Sequence, residues 1–178
     1  MADSVTVGVA VAIPQPHATV LTNWRRDVGD PVWDLIWPHV TLLPPTPVHI
    51  DAMPEVEAHL SAAAALVEPF DMHLSGTGTF RPASPVVFVQ VARGLGECEL
   101  LEAAVRTGPL ARELEFPYHP HVTVAQEVDD AALDTAYDGL AAFVARFRVT
   151  HFVLFSRDES PSEPRWQWRT EFPLGARG

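Results

Sequence analysis

The chain has a single cysteine, Cys98, among its 178 residues. One thiol closes no internal disulfide and supplies no cysteine-based zinc site, so the fold has to stand on its core. Flanked by Glu97 and Glu99, that thiol also lacks the electropositive surroundings of a nucleophile. Basic charge is scarce: 12 basic residues, all arginine, face 23 Asp and Glu for a net charge of −11. The arginines are spread along the chain without a cluster. That excludes a protein that grips extended nucleic acid through its phosphates, since such binding needs a basic stripe. It does not exclude a small phosphorylated ligand, or an RNA terminus, held by a few placed donors. Long hydrophobic runs are missing as well. The stretch Val5–Ile13 is short, follows acidic Asp3 and has no basic flank, so it reads as a strand and not as a signal peptide or membrane span. A cytoplasmic monomer with no membrane partner is the expectation. With 47% apolar residues and no low-complexity tract, the composition is that of one globular domain.

What the chain does have is a phrase that occurs twice. Pro38-His39-Val40-Thr41-Leu42 returns as Pro120-His121-Val122-Thr123-Val124, 82 positions later. Side chains two apart on a strand share a face, so each copy presents one imidazole and one hydroxyl to the same side. A lone His-x-Thr in a strand is ordinarily structural, because Thr suits the half-exposed face of a sheet. Two copies, each led by proline and set in equivalent places of two similar halves, point to a shared site. Two imidazoles can serve as acid and base at one pH, and two hydroxyls can donate to the oxygens of a phosphate. No carboxylate cluster accompanies them, so neither metal nor cofactor is expected.

The pattern of the chain predicts α+β architecture with two mostly antiparallel sheets. Strands are expected at Val5–Ile13, Trp37–Leu43 (closed by Pro44-Pro45), Phe70–Phe80, Val86–Val91, His121–Ala125, Phe147–Phe155 and Arg165–Phe172. Helices are expected at His17–Val28, Asp51–Val67, Gly96–Leu114 (divided by Gly108-Pro109) and Asp129–Phe143. Each half reads as strand, helix, motif strand, helix, strand, within one domain of two lobes that meet near residues 80–85.

At these residues the chain resembles the two-histidine phosphoesterase superfamily, and within it the 2′-5′ RNA ligase–like proteins. The two His-x-Thr motifs, their long spacing, the opening strand and the ending Phe152–Ser156 followed by Trp166–Leu174 carry the likeness. It implies a bilobal, pseudo-symmetric duplication with sheets facing a central cleft and helices outside. It further implies metal-independent action on 2′,3′-cyclic phosphates or related nucleotide and RNA-end phosphodiesters. His39 and His121 would be acid and base in an order left open, and Thr41 and Thr123 would bind the phosphate. A non-catalytic module binding a nucleotide or RNA end, and a 2′-5′ RNA ligase, are the alternatives. Gln126 stands where members often carry a cation, which favours small cyclic phosphates over ligation.

Tyr118 and Phe80 are candidates for stacking on a base, and Arg81 for reaching a phosphate, although core packing and solvent exposure are the default roles of Phe80 and Arg81. His119, two before His121, invites a metal reading that lacks a third ligand. Trp33 and Trp37 are placed to wall the cleft or to pack. His17, His49, His59, His73 and His151 have no companion motif.

Overall fold

The structure, a computed structural model, describes residues 3–157 and 165–175. Its elements run β1 (Ser4–Ala12), α1 (His17–Asp27), β2 (His39–His49), α2 (Met53–Ala65), β3 (Phe70–Thr79), β4 (Val86–Arg93), α3 (Leu95–Val105), β5 (His121–Gln126), α4 (Asp130–Gly139), β6 (Val144–Val149), β7 (His151–Arg157) and β8 (Gln167–Pro173). Two four-stranded sheets result, ordered β2-β1-β7-β8 and β5-β4-β3-β6. Every ladder is antiparallel. This is the α+β, pseudo-symmetric architecture expected. Tightly buried positions such as Val7, Val9, Val87, Val89, Leu60, Leu101 and Leu133 join both sheets and the helices into one core.

The two motif strands, β2 and β5, are the edge strands of their respective sheets. That position explains why β2 runs through Pro44-Pro45, where the sequence predicts a stop. Val7 pairs with Thr46 and Val9 with Leu43, so Gly8 alone opposes the two prolines. A bulge on an edge strand asks for no ladder donor at either proline.

The predicted strand over 147–155 is two strands in two sheets. β6 pairs with β3, whereas β7 pairs with β1 and β8. The switch falls at exposed Thr150, where a strand buried on alternate residues gives way to Phe152–Phe155, buried throughout. Alternation belongs to a half-exposed strand and a continuous apolar run to a doubly covered one. The lobe change expected near 80–85 is likewise displaced, since that segment joins β3 to β4, neighbours in one sheet. The chain passes between sheets instead along α2 and again at Thr150. One sheet therefore joins strands from both ends of the chain, β7 and β8 completing the sheet of β1 and β2, while the other is built from the consecutive strands β3 to β6.

Helix ends are set by local chemistry. Gly29, at φ +83°, follows α1, a left-handed conformation that glycine adopts without strain. The Asp129 carboxylate accepts from the Ala132 amide at 2.8 Å and caps α4. The helix predicted to reach Leu114 ends at Val105, and after the turn at Gly108–Leu110 residues 111–120 lead irregularly to β5. Among the described residues, no helix is long and apolar enough to cross a membrane.

Candidate active site

β2 and β5 meet edge to edge between the sheets. Along each, the valines and leucines are shut into the core: Val40, Leu42, Val122 and Val124 are at most 1% exposed. Strict alternation then turns His39, Thr41, His121 and Thr123 the other way, all half-buried. The strands are tied together from the segment that precedes β5. The Tyr118 hydroxyl donates to the Thr41 carbonyl at 2.7 Å. Arg112 Nη1 donates to the Pro45 carbonyl and the Thr46 hydroxyl, each at 2.9 Å.

The two histidines are held in the same way. His39 Nδ1 lies 2.6 Å from the Trp37 carbonyl, and His121 Nδ1 lies 2.6 Å from the His119 carbonyl. A carbonyl can only accept, so the proton sits on Nδ1 and the lone pair of each neutral ring is on Nε2. Among the described residues no protein group bonds either Nε2, or the hydroxyl of Thr41 or Thr123. The motif thus repeats down to tautomer and leaves four polar atoms unengaged.

Electrostatics separate the pair. Burial pushes His39 down to about 4, with the Arg25 guanidinium and His121 adding to the effect against the carbonyl of Trp37. His121 is also lowered, chiefly by burial and then by His119, against the His119 carbonyl. The permanent charge of the Arg25 guanidinium opposes the imidazolium at His39, whereas the charged neighbour acting on His121 is another imidazole, His119.

Each ring has its own wall. Phe80 meets the His121 ring edge to face at 4.9 Å, Phe88 lies 5.3 Å away, and His119 stacks at 6.1 Å. Gln90, cross-strand partner of His121, is fixed by donating to the Thr77 carbonyl at 2.7 Å. Around His39 the neighbours are small, Ala12 opposite it and Ala10 opposite Thr41. Phe155 and Trp166 rise beside them, and Arg157 lies 5.3 Å over the Trp166 ring. A cavity of about 550 Å³ is bordered by Thr41, Phe80, Arg112, Phe116, Tyr118 and His121. A smaller one of about 140 Å³ is bordered by His39, Thr41, Phe155 and Trp166. Thr41 belongs to both, so the two spaces adjoin at the first motif.

Gly78 makes the Phe88 wall possible. A Cβ there would stand 2.6 Å from two Phe88 ring carbons. Gly78→Ala is expected to destabilise by about 1–3 kcal/mol through overpacking. The readout is a lower urea midpoint, together with moved His121 ring resonances and unmoved His39 ones. Unmoved His121 resonances would show that Phe88 yields in some other direction.

The structure places the remaining predicted residues. Phe80 lines the large cavity beside His121. Tyr118 lines it too, but its hydroxyl is committed to β2, and its phenol is raised by burial and by Cys98, Glu102 and Glu99. Arg81 is engaged elsewhere, 2.9 Å from Asp134 and 3.6 Å from Asp130. Trp37 donates its indole proton to the Ile13 carbonyl at 2.7 Å and meets Trp168 edge to face. The His119 imidazole faces the aromatic group; no cluster of three or more His, Cys, Asp or Glu suited to a metal occurs among the described residues. Cys98 is buried and pushed up to about 12 by that burial and by Glu97 and Glu99.

Sequence reasoning missed Phe88, Gln90, Arg112 and Arg25. Phe88 hides in the apolar run Val86–Val91, where only Gln90, sharing its parity, marks the cleft-facing side. Arg112 brings a guanidinium from the irregular segment to the border of the larger cavity.

Known proteins resemble this chain in sequence and in fold. The profile of the 2′-5′ RNA ligase superfamily matches residues 13–161. A Bacillus cytotoxicus protein provisionally named a phosphoesterase is 30% identical over 121 residues, spanning 68% of this chain and 70% of its own. The crystal structure of E. coli LigT with 3′-AMP superimposes with a TM-score of 0.68 at 20% identity, covering 96% of this chain and 98% of that one. Kluyveromyces marxianus Usb1 shares the fold more distantly, with a TM-score of 0.51 at 14% identity over 97% and 99% of the two chains. With the profile running across both His-x-Thr strands, the chain belongs to the 2′-5′ RNA ligase superfamily of two-histidine phosphoesterases.

Proposed function

We propose that the cleft is the active site of a phosphoesterase that opens 2′,3′-cyclic phosphates, or related nucleotide and RNA-end phosphodiesters, without a metal. The observation that carries this reading is the pair of free Nε2 atoms, each fixed by an identical Nδ1 contact, beside two unengaged threonine hydroxyls. His39, the ring pressed further toward neutrality, takes the proton from the attacking water. His121 delivers a proton to the ribose oxygen as the P–O bond to it breaks, leaving a phosphomonoester. Thr41 and Thr123 donate to the non-bridging oxygens as negative charge grows there. The larger cavity, with Phe80 and Tyr118 on its border, takes the nucleoside. Small nucleotides suit it, and the related E. coli LigT has been crystallised with 3′-AMP, ATP and NADP+. Net charge of −11 favours such ligands over the two macromolecular ends of a ligation. A cytoplasmic monomer fits the same reading.

The pH dependence tests it. Turnover needs His39 neutral and His121 protonated, and both free-enzyme values lie below 6.5. Hence kcat/KM for a nucleoside 2′,3′-cyclic phosphate, measured in chelator, is expected to peak in mildly acidic solution. Above that peak it should fall by about tenfold per pH unit as His121 loses its proton. The kcat profile should lie at higher pH, because a bound anion favours the imidazolium. A kcat/KM that climbs through pH 7 to 8 would contradict the assignment, and loss of activity in chelator would contradict metal independence.

A further inference from the structure

Three of the arginines scattered in the sequence come together on the sheet of the second motif. His73 on β3 pairs with Arg93 on β4 and with Arg146 on β6, and Asp71 pairs with Arg148. Leu74, Val91 and Ala145, next to them in the ladders, are buried on the helix-covered face, so these five side chains project from the opposite face. Phe88, Gln90, Thr123 and His121 project from that same face, by the register of β4 with β5. The group surrounds a cavity of about 320 Å³ bordered by Asp71, His73, Arg93, Arg146 and Arg148.

Its charge balance is unlike the rest of the molecule. Asp71 is the one acid of the group, 3.1 Å from Arg148 and 3.7 Å from Arg93. No ion pair engages Arg146 among the described residues. The Nε2 of His73 is enclosed with no hydrogen-bond partner. β6 is an edge strand, and edge strands carry cations to resist pairing with other chains. Arg93 and His73, however, stand on the interior strands β4 and β3, where that explanation does not reach. Three guanidinium groups and the enclosed Nε2 of His73 around one concave surface are instead suited to a phosphate.

Position says which phosphate. Gln90 is opposite His121, and Arg93 lies three residues further along β4. At roughly 3.3 Å per residue and 4.8 Å per strand, Arg93 is about 11 Å from His121, Arg146 about 17 Å and Arg148 about 22 Å. About three to six nucleotides of single strand, roughly 3.4 Å each when stacked, cover those distances, and fewer suffice for an extended strand. We propose that Arg93, Arg146 and Arg148 form a second anion site that holds an internal phosphodiester of a short RNA whose terminal phosphate occupies the His–Thr cleft. An acidic protein with one such patch catches a few nucleotides of single strand and repels the remainder of a long chain. The proposal rests on the cleft reading for the location of the RNA end, but its test uses binding and not turnover.

The ligands are a dye-labelled tetraribonucleotide with a 3′-phosphate and a nucleoside 3′-monophosphate, titrated across a salt series. In the intact 178-residue chain, R93Q/R146Q is expected to weaken the tetranucleotide by about tenfold. It should also flatten the log K against log salt slope by about 1.4, two contacts at roughly 0.7 each for a single strand. Nucleoside monophosphate binding should stay within about twofold. R26Q, at an exposed arginine of α1, controls for the loss of a positive charge away from the patch and should change neither. Unchanged tetranucleotide binding in the double variant, equal weakening of both ligands, or an equal effect of R26Q would overturn the site. So would tetranucleotide that fails to bind the parent protein, or inorganic phosphate that displaces it at equal concentration. If the tetranucleotide behaves as expected while the mononucleotide binds nowhere, the cleft assignment fails and the arginine site stands.

Discussion

Replacing either His39 or His121 with alanine is expected to lower kcat on a nucleoside 2′,3′-cyclic phosphate by about 10²–10⁴-fold, the range of a general acid or base. The double replacement should be little worse than the poorer single one, because groups that act as a unit are not additive. The structure explains why neither loss can be covered locally. Each Nε2 reaches the cleft only through the bond from its Nδ1 to the carbonyl two residues back, and among the described residues no other titratable side chain is held in that way. Both rings are half-buried on cleft-facing positions, so folding should be nearly untouched, and a urea midpoint close to the parent's would confirm that the defect is chemical. Steady-state kinetics in chelator, on each single variant and on the pair, decide the matter. Turnover within about threefold of the parent in either single variant would remove that histidine from the reaction.

The repeated phrase was readable because strand geometry is simple. A period of two tells which residues share a face, and the duplicated His-x-Thr therefore sets the His and Thr of each copy on one side of its strand. The edge position of β2 and β5 was less legible. Pro44-Pro45 looked like a terminus because a proline ends a ladder in most contexts, and only the bulge opposite Gly8 shows why this one continues. The exchange of strands between sheets was hidden for a related reason. Local pattern records whether a residue is buried, but not which partner buries it, and residues 147–155 read as one apolar strand although Thr150 divides two sheets. The arginine patch was invisible for the same cause: Arg93 and Arg146 are neighbours of His73 only through register, a property no single segment carries. Arg81 was a candidate for a phosphate with solvent exposure as its default role, and its partners Asp130 and Asp134 on α4 are likewise set by the fold and not by its own segment.

Behind the first motif lies the interaction whose loss should most affect stability. Arg25 and Asp30 are 2% and 1% exposed, and Arg25 Nε donates to Asp30 Oδ2 at 2.8 Å. The other carboxylate oxygen accepts from the Val32 amide at 2.9 Å, closing the turn after α1. Arg25 Nη2 already lacks a partner, so the guanidinium has nothing in reserve if the carboxylate is removed. Asp30→Ala is therefore expected to destabilise by about 3–5 kcal/mol, the usual result of stranding one member of a buried pair. The double variant Arg25→Met/Asp30→Leu should recover most of that loss, since burying neither charge avoids the desolvation penalty altogether. Function should separate the two variants in a further way. Arg25 contributes to holding His39 down; with Asp30 gone its uncompensated charge lowers His39 further, whereas the double variant lets His39 rise. The acidic limb of kcat/KM, where His39 becomes protonated, should accordingly move to lower pH in the single variant and to higher pH in the double. Chemical denaturation and the pH profile together provide the test. An Asp30→Ala protein as stable as the parent would show that the carboxylate is dispensable to the fold, and acidic limbs that coincide in both variants would detach Arg25 from the chemistry of His39.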